Sequence, residues 1–172
     1  MNDLVILAML ADGPKHGYQL KREAGFILGG GDMHNNLVYP LLRRFTADGW
    51  VTKKTVPGER GQTRKSYSLT VAGRKELLSR LSSFSAADAT NARAFLARVG
   101  MFDLLPAETC ASILDLRERY LQGRTQRLDG LKNNLELGVF GSEVVRHIVK
   151  LTHAELAWIR RLRRLQADEK KV

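Results

Sequence analysis

The sequence predicts a mainly α-helical protein with a small β-hairpin. An N-terminal winged helix-turn-helix is followed by a C-terminal helical dimerisation region. Three observations predict this. Apolar residues recur at helical spacing in three successive segments of the first fifty residues. The period then changes to that of two short strands. Beyond residue 105, leucines recur every seven residues.

Asn2 or Asp3 can cap the first helix, since either side chain accepts bonds from free backbone N–H groups. Leu4, Leu7, Ala8 and Ala11 share one face of it, and Asp12-Gly13-Pro14 ends it. A second helix is expected from about His16 to Leu28, burying Tyr18, Leu20, Ala24 and Ile27. Gly29-Gly30-Gly31 breaks the chain after it. A third helix is expected to begin between Asn35 and Leu37 and to stop at Asp48-Gly49. Val38, Leu41, Leu42 and Phe45 form its apolar stripe, and Pro40 is placed in its first turn, where a missing N–H costs nothing. Trp50 to Val56 is rich in strand formers, Pro57 to Gly61 reads as a turn, and Arg64 to Leu69 alternates as a second strand. Thr70 then caps a helix running from Val71 to about Leu81. Helix, helix, helix, hairpin, helix is the layout of a winged helix-turn-helix, whose second motif helix fits the major groove.

The domain boundaries follow from this order: 1–81 for the winged helix-turn-helix, 82–105 for a linker and connecting helix, and 106–172 for a helical hairpin. Pro106-Ala107-Glu108 opens a long helix with Pro in the first turn and a negative charge at the positive dipole end. Leu114, Leu121, Leu128 and Leu135 form a seam along it, interrupted by Arg117 and Arg124 and weakened by Gly123 and Gly130. After the break at Gly138 to Gly141, Ser142 can cap a last helix. Val144, Val145, Ile148, Leu151, Leu156, Ile159, Leu162 and Leu165 give it a broad apolar face. The two helices present more apolar surface than they can bury in each other. The surplus either packs on the N-terminal domain or forms a dimer interface through Leu114, Leu121, Leu128, Leu135, Ile148, Leu151, Ile159 and Leu162. The dimer is favoured because a helix-turn-helix gains affinity and register from two half-sites.

Across 172 residues, 28 Lys and Arg against 18 Asp and Glu leave a net charge of +10, which attracts polyanions and nucleic acid above all. A single cysteine, Cys110, excludes an intramolecular disulfide and fits a reducing compartment. The apolar run from Leu4 to Ala11 lacks a positive lead-in and is followed by Asp12, so no signal peptide is expected. No apolar run approaches the ~20 residues needed to span a bilayer. A cytoplasmic protein with no membrane partner is expected. Catalysis has little support. The four histidines are scattered, His147 and His153 stand on different helical faces, and the glycine run lacks the lysine of a phosphate loop. No metal, cofactor or enzymatic activity is expected.

Six segments stand in a specific order and spacing: Leu4 to Leu10, Gly13 to Leu20, Val38 to Phe45, Asp48 to Val51, Arg64 to Thr70, and Gly73-Arg74. In this they resemble the PadR family of bacterial transcriptional regulators, over nearly half the chain. The remainder resembles the family's helical C-terminal region in kind rather than in sequence. The resemblance implies a homodimer on an inverted-repeat operator, usually acting as a repressor and in many members released by a small, often aromatic effector at or near the dimer interface. One departure stands out. The family has a small Gly or Ser and then Thr where this chain has Asn36 and Leu37, so contacts made by that Thr do not transfer.

The expected DNA-binding residues are Asn35, Asn36, Tyr39, Arg43 and Arg44 on the third helix, Arg60, Arg64 and Lys65 on the wing, and Lys15 ahead of the second helix. Asn can bond adenine bidentately, Arg can bond guanine or phosphate, and the Tyr39 hydroxyl suits a phosphate. His16 reads as a turn residue, and Trp50 and Tyr67 as hairpin and core aromatics. Trp158 is either a packed core residue or a platform for a flat effector. A protein-interaction module that uses the winged helix and the C-terminal helices as a scaffold is the alternative reading.

Overall fold

The computed structural model describes residues 2–27, 35–57, 63–134 and 137–169. The expected glycine break at 29–31, the turn at 58–61 and Leu135 lie outside the described residues. Two compact units emerge. The first comprises Met1–Ser83 and Leu96–Leu105, the second Phe84–Phe95 and Pro106–Val172. The stretch 82–105, expected as a linker and connecting helix, is thus divided between them.

In the first unit, α1 (Asn2–Ala11) buries Leu4, Val5, Ile6, Leu7, Met9 and Leu10. A helix apolar on nearly every side is a core helix, which corrects the single face expected of it. Gly13 follows with φ 131°, a conformation only glycine adopts readily. Lys15–His16 then form a two-residue strand, β1, and α2 starts at Gly17 rather than His16, running to Ile27. The His16 N–H donates to Gln19 Oε1 at 2.8 Å. Leu20 and Ala24, one turn apart, take the buried side of α2. Tyr18 lies about 200° round the helix from Leu20. It is therefore exposed, not buried as expected.

The third helix, α3 (Asn35–Ala47), buries Val38, Leu42 and Phe45 as expected. Pro40 is its sixth residue, not part of a first turn, so the Asn36 carbonyl lacks its usual ladder donor. The helix ends in a Schellman motif. Gly49 has φ 73°, its N–H bonds to the Thr46 carbonyl at 3.2 Å, and the Trp50 N–H reaches back to the Phe45 carbonyl at 2.9 Å. The Phe45 and Trp50 rings close this motif at 5.7 Å between centroids.

Strands β2 (Val51–Pro57) and β3 (Thr63–Leu69) pair antiparallel, with Val51 opposite Leu69 and Lys53 opposite Tyr67. β1 joins the other edge of β3, with Lys15 opposite Tyr67, so the sheet has three strands in the order β1-β3-β2 rather than two. Thr70 caps α4 (Val71–Ser82): its hydroxyl accepts the Gly73 N–H at 2.9 Å and donates to the Gly49 carbonyl at 2.8 Å. Gly73 is so close to the hairpin that a methyl group there would stand 2.0 Å from the Trp50 carbonyl oxygen. The Arg80 guanidinium sits 4.8 Å from the Trp50 ring centre.

The second unit holds α5 (Ala86–Thr90), the first half of α6 (Ala92–Val99), α7 (Ala107–Asn134) and α8 (Val139–Glu169). Ser85 and Asp88 cap α5 reciprocally. The short connection between α7 and α8 makes them antiparallel neighbours, and they are tied by Arg117 with Glu155 and by Arg163 with Asp115 and Glu118. Arg117, expected to interrupt the seam, is 1% exposed and occupies a core position. Its Nε and Nη2 donate to the Glu155 carboxylate at 2.8 and 2.9 Å, and its Nη1 to the Ala89 carbonyl at 2.5 Å. Its guanidinium also lies 5.5 Å from the Phe95 ring centre and 5.3 Å from that of Tyr120.

Two substitutions test these closures. Gly73→Ala forces backbone against backbone and is expected to destabilise the first unit by about 3 kcal/mol. Arg117→Ala leaves the Glu155 charge without its partner and is expected to destabilise the second by about 3–5 kcal/mol. Chemical denaturation of each variant measures both.

Candidate nucleic-acid interface

The side of α3 turned away from Val38, Leu42 and Phe45 carries Leu37, Tyr39, Pro40, Arg43 and Thr46, all exposed at least in part. Tyr39 and Arg43 are four apart and so lie one above the other on that side. Asn35 and Asn36 occupy the first turn of α3, and their side chains lie outside the described residues. Arg60 also lies outside them. The apolar Leu37, at the point of departure from the family pattern, is 45% exposed.

Arg44, expected at the interface, is half exposed and carries an ion pair of its own. Its guanidinium pairs with Asp3 of α1 and lies 5.2 Å from the Phe45 ring centre, so it is held against the first unit's own surface. Asp3 also accepts from Arg80 at 3.2 Å, and one carboxylate therefore holds two guanidinium groups. Lys15, on β1, sits 3.4 Å from Glu23. Arg64 and Lys65 are exposed on β3, and the Lys65 carbonyl lies 3.4 Å from His16 Nδ1.

Strand alternation brings in residues not expected at the interface. Tyr67 is buried against the core, and Lys65 shares its face two positions towards the tip. On the partner strand, Lys53 lies opposite Tyr67. The signal for Lys53 was present in the sequence: Val51 faces the core, so the residue two positions on must leave the core on the same face.

Two cavities flank the corner between α3 and the wing. The larger, about 640 Å³, is lined by His16, Gly17, Tyr39, Arg64, Lys65 and Tyr67 among others. The smaller, about 280 Å³, is lined by Tyr39, Arg43, Thr46, Lys53, Lys65 and Tyr67, together with Leu42. Gly17 permits this arrangement, since a methyl group there would stand 2.8 Å from the Tyr39 ring. Burial pushes the Tyr67 hydroxyl above its ordinary value of 10.0, Tyr39 adds to the rise, and Arg43 opposes it. The corner is thus cationic at its rim and aromatic at its floor. That chemistry suits an oxyanion, and no His, Cys, Asp or Glu group among the described residues has the makings of a metal site.

The expected dimer residues fall into two groups. Leu114, Leu121 and Ile159 are wholly buried in the protomer and Leu128 nearly so, which corrects their assignment to an interface, because their side chains are not at the surface. Ile148 and Leu162 are half-buried. The exposed apolar residues of α8 are Val139, Phe140, Val144, Leu151 and Leu165. Trp158 meets Phe95 edge-on, with 5.9 Å between ring centres, so its ring is engaged in packing. No helix among the described residues is long and apolar enough to cross a membrane.

Residues 6–79 match the profile of the transcriptional regulator PadR-like family. Among solved structures, the chain is similar to a protein from Thermoplasma acidophilum assigned as a transcriptional regulator. That likeness has 30% identity, covers 46% of this chain and 75% of that one, and has a TM-score of 0.43. The chain is also similar to PadR from Bacillus subtilis in complex with operator DNA, at 19% identity over 95% of this chain and 98% of that one, with a TM-score of 0.46. Its likeness to the same protein in complex with p-coumaric acid has 19% identity, 96% and 98% coverage, and a TM-score of 0.41. No curated protein matches the chain.

The raised Tyr67 value has a testable consequence. It favours the protonated phenol in the fold, so the stability it contributes is present below pH 10 and is lost as pH climbs through the folded-state value. Alkaline absorbance titration is expected to show one of the four tyrosines ionising after the others, with Tyr67→Phe abolishing that late step.

Proposed function

Residues 6–79 of this chain belong to the PadR-like family of transcriptional regulators, and from that premise we propose that the protein is a homodimeric, sequence-specific DNA-binding regulator acting as a repressor on an inverted-repeat operator. α3 enters the major groove, and the wing follows the flanking backbone. One observation carries this reading: Tyr39 and Arg43 on the outer side of α3 converge with Lys53 and Lys65 of the wing on a single corner.

The contacts divide by chemistry. Lysines of the wing neutralise phosphates and set the grip, independent of sequence. Arg43 and the Asn35-Asn36 pair supply hydrogen bonds for base edges, and exposed Leu37 supplies an apolar surface of the kind that meets a thymine methyl. The reading head therefore differs in chemistry from the small-residue-then-Thr pattern of the family, and so will the operator it prefers.

A second copy is the natural cover for the exposed apolar residues of α8, Phe140, Val144, Leu151 and Leu165. Dimerisation aligns two reading heads about one helical turn of DNA apart. Release by a small aromatic effector belongs to the same reading as a family expectation, but Trp158 is not assigned to it, because its ring is packed on Phe95. The interaction-scaffold alternative rests on the same α8 residues and gives no role to the cationic corner.

Footprinting and titration on the DNA upstream of its own coding region, at several salt concentrations, test the proposal. Two protected half-sites about one helical turn apart are expected. Affinity should fall steeply with salt, by ~0.9 in log–log slope per phosphate neutralised. Arg43→Ala should cost about 1–3 kcal/mol on the preferred site. Equal affinity for that DNA and for random duplex would overturn the reading.

A further inference from the structure

We propose that the corner between α3 and the wing is a phosphoryl-binding pocket, in which the Tyr67 hydroxyl grips one oxygen of a backbone phosphodiester while Lys53, Lys65 and Arg43 neutralise its charge. The inference rests on the DNA-binding reading and adds to it a particular donor and a particular place.

Tyr67 is only 5% exposed, yet its side chain lines both cavities of the corner. Its hydroxyl makes no hydrogen bond to any described residue. The ring is buried, but the hydroxyl oxygen is reached by solvent at the cavity, so its donor is available to an incoming group. Here the free position faces space bounded by cations, and an oxyanion fits that position. An O–H donated to an ionised acceptor is about twice as strong as one donated to a neutral acceptor.

The surrounding backbone makes the donor rigid. Tyr67 is held on both sides, by Lys15 of β1 and Lys53 of β2 in the sheet register. Its ring is part of the first unit's core. A donor fixed in advance loses little freedom on binding, unlike a lysine at a hairpin tip. Tyr39 completes the wall from α3, and Gly17 leaves room for its ring. Lys53 lies opposite Tyr67 across the ladder, and Lys65 follows on the same face of β3. The shared chemistry is a phosphoryl oxyanion, available from the DNA backbone or from free phosphate.

Binding of the full-length protein to a short random-sequence duplex, followed by fluorescence anisotropy over a range of salt, tests the DNA source. Tyr67→Phe keeps the ring and removes only the hydroxyl. It is expected to weaken binding about tenfold on every sequence while leaving the salt slope unchanged. Lys53→Gln, at an exposed side chain, is expected to lower that slope by ~0.9 and keeps the test open should the Tyr67 variant fold poorly. Titration with inorganic phosphate, following the backbone amide resonances of Lys53, Lys65 and Tyr67, tests the free source. Duplex binding by both variants equal to that of the unaltered protein, with no phosphate response, would overturn the pocket and leave the DNA-binding reading standing. A phosphate response lost in Tyr67→Phe, in a protein that binds no duplex, would uphold the pocket and overturn the DNA-binding reading instead.

Discussion

The main-chain carbonyl of Trp50 is the point on which the N-terminal unit turns. It accepts the Thr70 N–H at 2.9 Å, and Gly73 approaches it more closely than any residue with a side chain could. The Schellman turn at Gly49 delivers Trp50 to that spot from the end of α3. The first pair of the β2–β3 ladder, Val51 with Leu69, starts beside it, and the Thr70 cap launches α4 from the same place. Two helix termini and two strand ends therefore share one stretch of backbone. Repacking side chains cannot easily change the angle between α3 and the wing, because main-chain atoms set it. The positions of Tyr39 and Arg43 relative to Lys53 and Lys65 follow from this corner.

The C-terminal unit is organised around a charge. Taking a guanidinium out of water is costly, and Arg117 offsets that cost only by meeting several partners together. A carboxylate from α8, a carbonyl from α5 and the faces of two aromatic rings surround it. Such a group tolerates few alternative arrangements, so it specifies how α5, α7 and α8 meet more narrowly than leucines alone would. Further along, burial lowers the pKa of Arg163, but its bonds to Asp115 and Glu118 more than offset this, and the net value is raised.

Much of this architecture was legible because it depends on local rules. The stripe of α3, the change of period at Trp50, the Thr70 cap and the glycine stop at Gly49 each lie within a few residues of the signal that announces them. The elements that were not legible join distant residues. β1 is two residues long and carries no period of its own; it exists because Lys15 and His16 meet Tyr67 and Ser66 some fifty positions on. Arg44 looked like a free cation because its partner, Asp3, lies forty-one residues earlier. The seven-residue leucine spacing announced a buried face without saying what buries it, and the face proved to be consumed within one chain. Arg117 looked like a flaw in that seam because Glu155 lies thirty-eight residues away. Of the candidate site, Tyr39, Arg43, Arg64 and Lys65 followed from placing a helix and a hairpin. Strand alternation could have placed Lys53 and Tyr67 on their faces, but that the two stand opposite one another required the register, which composition does not supply.

The double grip of Asp3 on Arg44 and Arg80 bears on how the protein would search a genome. A regulator meets vastly more wrong sites than right ones, and each additional cation on its reading surface lengthens the stay at every wrong site. Pairing with Asp3 offsets part of the charge of one such cation, Arg44, which stays half exposed on α3. On the DNA-binding reading, the exposed wing lysines would be left to keep the protein on the duplex while it slides. On that same reading, Asp3 of α1 would act on residence time rather than on recognition, trading some hold on DNA in general for faster passage between sites.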